Sequence, residues 1–324
     1  MKNPRKPPRQ PERNSSRYRY DILCVGEPLY ELNQSGDDLC YEPGFGGDTS
    51  NCAVAAARQG ASVAYFTALG KDVFGREFLK MWAREGVDSD AVILRENSPT
   101  GLYLVSHGPV GHEFTYFRKD SAASLMRPEE IPADLIRNSA LLHVSGISQA
   151  ISDSASRAVL KAIDLARQQD VRVSYDPNLR LKLWPLNRAR EVIHQAMALC
   201  DIALPGLEDA VQLTGLDEPQ EMVEFYLNLG AEIVALSLGP DGMMLGTPGR
   251  VEKIGGWELK TVDATGAGDT FDGAFLTELV RGRLPSDAAR YANAAAAIST
   301  TGYGAVSPMP QREDVEALLA GLVA

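Results

Sequence analysis

The sequence predicts an α/β fold: a mostly parallel central sheet flanked by helices, with a small β-rich lid. Three observations predict it. From residue 139 onward, short apolar runs alternate with stretches that carry apolar residues on one helical face, the mark of βαβ units. Two earlier stretches, about 29–45 and 101–121, alternate at every second residue instead, as half-exposed strands do. A glycine-rich turn at 266–268 stands between an apolar stretch and a helical one, where an open α/β sheet carries its ligands.

In chain order, Ile22-Leu23-Cys24-Val25 is an apolar run stopped by Gly26 and reads as a buried strand. Asp48, Thr49 and Ser50 offer N-caps for a small-residue helix ending at Gly60. Residues 101–106 and 113–118 alternate on either side of Gly108-Pro109-Val110-Gly111, so they form a hairpin. A strand at 140–144 precedes a helix capped by Asp153 or Ser154, with Val159, Ile163 and Ala166 on one face. Further strands are expected at 171–175, 201–204, 233–238 and 257–262, with helices near 186–199 and up to Gly230. Right-handed crossovers then place the C-terminal ends of the parallel strands along one edge.

Composition narrows the function. A chain of 324 residues with 44% hydrophobic and 23% charged residues reads as soluble and globular. No apolar run approaches the roughly 20 residues that span a bilayer. The net charge of −11 makes nucleic acid or an anionic membrane a poor partner. Cys24, Cys40, Cys52 and Cys200 are scattered, which argues against a zinc site or a disulfide framework and suits a reducing, cytoplasmic setting. Residues 1–19 carry Lys2, Arg5, Lys6, Arg9, Arg13, Arg17 and Arg19 against Glu12. They read as a disordered basic tail rather than an electrostatic anchor, and they lack the apolar segment of a secretory signal. Residues 20–324 then form a single domain.

The chemistry concentrates in Asp263-Ala-Thr-Gly-Ala-Gly-Asp-Thr-Phe271. Phe271, Phe275 and Leu279 follow at helical spacing, so the turn Gly266-Ala267-Gly268 opens a helix. Backbone amides of a first turn are free to hold an anion, and the helix dipole favours one. Asp269, in that first turn, can accept a proton from an attacking hydroxyl while the amides hold developing charge. No Walker A loop or G-x-G-x-x-G fingerprint occurs. The plainer reading is an Asp that complements the dipole beside a tight turn.

That segment resembles the C-terminal signature of the ribokinase-like (PfkB) carbohydrate kinases. Gly46-Gly47-Asp48-Thr49-Ser50-Asn51 resembles the N-terminal one. The resemblance implies a ribokinase-like fold, ATP with Mg2+ as cofactors, and Asp269 as catalytic base with Gly266, Ala267 and Gly268 around the transferred charge. Residues 116–123 and 176–184 are similar to segments of 2-keto-3-deoxygluconate kinases, which implies a sugar-acid substrate. It assigns Gly47, Asn51, Tyr103, Tyr116, Arg118 and Arg180 to the substrate or its surroundings. It assigns Asn178, Arg180, Ser237, Gly239, Gly242 and Asn293 to the nucleotide side. An Arg can grip a carboxylate or a phosphate through two parallel bonds, so Arg180 could serve either ligand.

The sequence also departs from the family. Where many relatives have Asn-x-x-Glu, this chain has Pro205-Gly206-Leu207-Glu208, so Mg2+ would rest on Glu208 through water. Glu31 stands about where ribokinases and fructokinases carry an Asp for sugar hydroxyls. A monovalent cation such as K+ is implied near Asp263 and the 302–305 loop. His107, His112, His143 and His194 lack metal-ligand spacing and read as structural. The expected reaction is phosphorylation of the terminal hydroxyl of 2-keto-3-deoxygluconate. The rivals are fructose, the galactonate epimer, and a non-catalytic sugar or nucleotide sensor. A homodimer paired through lid edges is expected.

Overall fold

The computed structural model describes residues 18–35, 40–108 and 111–322. Its main sheet has nine strands, in the order Arg250–Ile254, Met243–Thr247, Ile233–Ser237, Ile202–Ala203, Arg172–Asp176, Ser139–Ser145, Tyr20–Val25, Val63–Phe66 and Val87–Asp88. Pairing is parallel from Ile233–Ser237 to Val87–Asp88. The first two strands of that order add an antiparallel hairpin at the edge. The register places Ile22 between Leu141 and Val63. Strand order reverses between Tyr20–Val25 and Ser139–Ser145, which makes their C-terminal ends the topological switch point where such sheets bind ligands.

Strand alternation divides the core in two. Ile22 and Cys24 face one way, under Asp48–Arg58, Ala267–Val280 and Pro285–Ser299; Leu23 and Val25 face the other, under Asp153–Gln168, Leu186–Met197 and Pro219–Leu229. Asp48–Arg58 can lie close against Ala267–Val280 because their facing residues are small. A Cβ on Gly273 would sit 2.5 Å from the Cys52 carbonyl oxygen. Gly273→Val is therefore expected to destabilise the protein by about 1–3 kcal/mol through overpacking, read as a lower urea midpoint at unchanged slope.

The lid is a four-stranded sheet, ordered Tyr41–Gly46, Leu29–Gln34, Leu102–Gly108, Gly111–Phe117. Its central pair is parallel and its outer pairs are antiparallel. Tyr30 roots it in the body, with ring centroids 4.8 Å from Phe74 and 6.3 Å from Phe78. The turn residues Pro109 and Val110 lie outside the described residues, as does the basic tail except Tyr18 and Arg19. Arg19 already belongs to the body: its N–H donates to Asn138 O, and its guanidinium pairs with Asp88 at 3.1 Å.

Three local expectations are corrected. No strand occupies residues 257–262, where the chain is irregular. The Val262 N–H is taken by Thr300 O at 2.7 Å, at a helix end rather than in a sheet. The strand instead lies at Arg250–Ile254, whose charged alternation suits an exposed edge. The first helix is capped by Gly47, at φ 99, rather than by Asp48, Thr49 or Ser50. Ser152, not Asp153 or Ser154, caps the Asp153–Gln168 helix, because its Oγ reaches the Ala155 N–H at 3.0 Å.

Candidate active site

A cleft of about 970 Å3 opens where the parallel strands end. Its wall takes Glu27, Ile147, Asp176, Leu204 and Ser237 from just past those strands, Tyr103, Tyr116 and Arg118 from the lid, and Gly266, Gly268 and Asp269 from the glycine turn. Gly266 has φ 77, and a Cβ there would press on the Ala305 backbone at 2.9 Å. Only glycine makes that turn without strain, and the turn aims the 267–280 helix N-terminus at the cleft. Gly268 and Asp269 have no carbonyl four residues back within the helix, so their N–H groups remain for a ligand. Ala267 departs from expectation. Its N–H closes the turn on Ala264 O at 3.2 Å, and the residue is not among those lining the cleft.

Asn51 Nδ2 donates to Asp269 Oδ2 at 2.8 Å, which fixes the carboxylate's orientation. Asn51 Oδ1 is buried with no partner among the described residues, so it can accept from a hydroxyl brought to Asp269. Enclosure, and then the negative charge of Asp48, push the Asp269 carboxyl up to about 7; the Asn51 bond and Arg180 oppose the rise. Asp176 and Asp272 are raised well above the usual carboxylate range, mainly by burial and then by neighbouring carboxylates. This set, with Asp48 bound to Asn178 Nδ2 at 3.1 Å, went unnoticed in the sequence because its members come from three separate segments.

A base must be ionised to act, so kcat/KM of the free enzyme is expected to rise about tenfold per pH unit below about 7 and to level off above it. A profile already flat at about pH 5 would remove the raised carboxyl from the rate law.

On the lid, Tyr103 gives its hydroxyl hydrogen to Glu31, and burial and that carboxylate push its phenol well above the usual range. Tyr116 lies with its ring centroid 5.7 Å from that of Tyr103, and Arg118 Cζ lies 5.7 Å from the Tyr116 centroid. The expected sharing of one face by Tyr116 and Arg118 is therefore present. Glu27, which was not singled out, is 1% exposed; it pairs with the Arg118 guanidinium and accepts from Ser121 Oγ at 3.0 Å. Burial raises its carboxyl, and Arg118 opposes that. Its sequence signal was position alone, directly after the first strand and Gly26. Arg118 Nε is buried and has no acceptor among the described residues.

Gly47, Asn178, Arg180 and Ser237 also line the cleft. Gly239, Gly242 and Asn293 do not: Gly239 opens a 3-10 turn that Gly242 ends, and Asn293 Nδ2 donates to Gly255 O at 3.1 Å. Glu208 points away as well. It stands exposed on the first turn of Leu207–Thr214, while Asp209 lines the cleft and accepts the Leu179 N–H at 2.7 Å. Asp263 ties the glycine turn to the neighbouring loop, taking Thr265 Oγ1 at 2.7 Å on Oδ1 and Gly304 N at 3.0 Å on Oδ2. Among the described residues no three His, Cys, Asp or Glu side chains converge as a metal site. His143 is buried with Nδ1 3.0 Å from Ser174 Oγ, and burial lowers it to about 3; His194 packs on Phe225. The side chains of His107 and His112 lie outside the described residues. No helix among those residues is long and apolar enough to cross a membrane.

A doubly wound sheet, a lid over its switch point and a carboxylate beside an anion-binding helix N-terminus define an ATP-dependent sugar kinase of ribokinase-like fold. The chain belongs to the pfkB family of carbohydrate kinases, whose profile matches residues 21–312. It is 33% identical over 315 residues to a fructokinase of Solanum tuberosum, covering 93% of this chain and 96% of that one. It is 32% identical over 310 residues to 2-dehydro-3-deoxygluconokinase of Bacillus subtilis, covering 93% and 95%. Among solved structures, the fructokinase of Vibrio cholerae O395 with fructose, ADP and calcium ion bound matches with a TM-score of 0.84 at 28% identity, covering 93% of this chain and 99% of that one. A PfkB protein from Polaromonas sp. JS666 matches with a TM-score of 0.84 at 29% identity, covering 92% and 99%.

Proposed function

We propose that the enzyme phosphorylates the terminal hydroxyl of 2-keto-3-deoxygluconate, giving 2-keto-3-deoxy-6-phosphogluconate, as a cytoplasmic kinase whose residues 20–324 form one domain with its lid. The observation that carries the sugar-acid reading is the group of cations on the cleft wall. Arg118, Lys119, Arg180 and Lys182 line it beside the carboxylates Glu27, Asp48, Asp176, Asp209, Asp269 and Asp272, and these cations offer a substrate carboxylate partners that a neutral ketose cannot use. The place of the hydroxyl-binding Asp supports the same reading, since Glu31 there is already engaged by Tyr103. Identity alone does not separate the candidates, because fructokinase and 2-dehydro-3-deoxygluconokinase relatives stand at 33% and 32%.

In this mechanism Asp269 accepts the proton of the terminal hydroxyl, held in line by Asn51. The Gly268 and Asp269 amides and the helix dipole stabilise the charge that develops on the transferred group. ATP with Mg2+ supplies the phosphoryl group and neutralises its oxygens. The free amides at the helix N-terminus fit phosphates, and since no three acidic side chains converge among the described residues, Mg2+ would be held mainly by phosphate and water. Arg180, exposed at the mouth of the cleft, grips the anion of either ligand. Closure of the lid excludes water. Asp263 and the 302–305 loop remain the proposed place for a monovalent cation.

The test is kcat/KM for ADP release across 2-keto-3-deoxygluconate, its galactonate epimer, fructose and ribose. The deoxy-keto acid is expected to lead fructose by about 100-fold, in keeping with a charged partner lost. Preference for fructose would overturn the sugar-acid reading in favour of a fructokinase, and preference for the epimer would reassign the acid. Binding of ATP and sugar with no product would leave a sensor. A homodimer is proposed through the lid edge Gly111–Phe117, where Phe114, Tyr116 and Phe117 are exposed; light scattering at the monomer mass would refute it.

A further inference from the structure

We propose a second ligand site, separate from the catalytic cleft, for a small carboxylate. It is a cavity of about 270 Å3 at the N-terminal end of the Asp153–Gln168 helix. Gln149, Ser156 and Trp184 line it, with Ser152, Asp153, Leu183 and Arg188 also on its wall. Gln149 and Trp184 are only 2% and 8% exposed. Gln149 Oε1 accepts the Tyr175 hydroxyl at 2.6 Å, whereas Gln149 Nε2 and Trp184 Nε1 are buried with no acceptor among the described residues. Both groups can only donate. Buried donors are almost always matched, so two on one cavity call for an occupant that accepts.

The surroundings narrow the chemistry. The first amides of a helix of 16 residues and the Arg188 guanidinium, which also pairs with Glu191 at 3.1 Å, offer the cavity further donors. Asp153 in the first turn sets an opposing limit: it repels a doubly charged phosphate and accepts from a hydroxyl. A singly charged carboxylate of a few carbons satisfies both conditions. The volume is too small for a nucleotide. Leu183 also lines the catalytic cleft, on the segment that carries Asn178 and Arg180, so the two cavities share a wall. None of this depends on which sugar the enzyme phosphorylates.

Pyruvate, which has no hydroxyl to phosphorylate, is the probe. The full chain is titrated with it while the indole N–H resonances of Trp82, Trp184 and Trp257 are followed. The Trp184 resonance, identified by its loss in Trp184→Phe, is expected to move downfield saturably. That of Trp82, which already donates to Ser50 Oγ at 3.0 Å, is expected to stay. Gln149→Leu should weaken pyruvate by about tenfold. Arg188→Met, at an exposed position, should weaken it at an unchanged melting temperature and serves alone if the first variant does not fold. The response should persist with Mg-ADP in the catalytic cleft. No saturable movement at millimolar pyruvate would overturn the proposal and leave water in the cavity. Loss of the response when Mg-ADP binds, or unchanged affinity in the variants, would also overturn it. Tighter binding of inorganic phosphate than of pyruvate would overturn the carboxylate class.

Discussion

Asp269→Asn is expected to lower kcat by about 100-fold or more, the loss of a general base, while the melting temperature holds or rises. Asparagine keeps the shape of the side chain and can still meet the Asn51 amide, but it cannot take a proton. The stability side follows from the same enclosure. Asp269 is raised to about 7 from an ordinary 3.8, by burial and by Asp48. A carboxyl raised in this way contributes its stability in the neutral form, fully below the ordinary value, and loses it as pH rises through about 7. A neutral amide escapes that loss, so the variant's advantage in melting temperature should be larger at about pH 8 than at about pH 5. Activity within about tenfold of wild type would take the proton-accepting role away from Asp269, and a variant that melted lower at pH 8 would show that its charge is welcome in the free enzyme.

Glu27→Ala is expected to lower stability by about 3–5 kcal/mol, since it strands the enclosed guanidinium of Arg118. The two side chains are 0% and 11% exposed, so little water reaches the charge left behind. Arg118→Met should be milder at low pH, because Glu27, already raised by burial, can then take up a proton. Its folded value is raised above the unfolded one, so this variant's stability is greatest on the acid side and falls as pH climbs through the raised value. The double variant Glu27→Leu/Arg118→Met removes both charges and should recover most of the stability while still binding the proposed sugar-acid substrate poorly. Urea unfolding and KM for the acid separate the two effects. A double variant no more stable than Glu27→Ala would mean that the stranded Arg118 charge is not what destabilises that variant.

Much of the site was legible in the sequence where its chemistry is local. A glycine that must adopt φ 77, amides opening a helix and an Asp in the first turn all lie within four residues, so the sequence alone displays the device around Asp269. The Tyr116 and Arg118 pair was legible for the same reason, as strand alternation fixes a shared face. Local signals also misled. The 257–262 run has strand-like apolar residues, yet Trp257 and Val262 are 36% and 41% exposed, because the backbone there bonds to a helix end. Glu208 and Asp209 are neighbours on one helix turn, and composition could not tell which would face the cleft.

By itself the sequence determined the class of fold, the glycine turn with its aspartate, and the two-faced lid strands, because these depend on steric limits and hydrogen bonds between residues close in the chain. Only the tertiary structure decided that Glu27 would pair with Arg118 across 91 positions, that Asp48 would crowd Asp269 and raise it while Asp269 in turn raises Asp176 and Asp272, and that Gln149 and Trp184 would share a cavity. Parallel crossovers bring the ends of distant strands to one edge. Residues at those ends meet through the path of the chain rather than through any spacing along it.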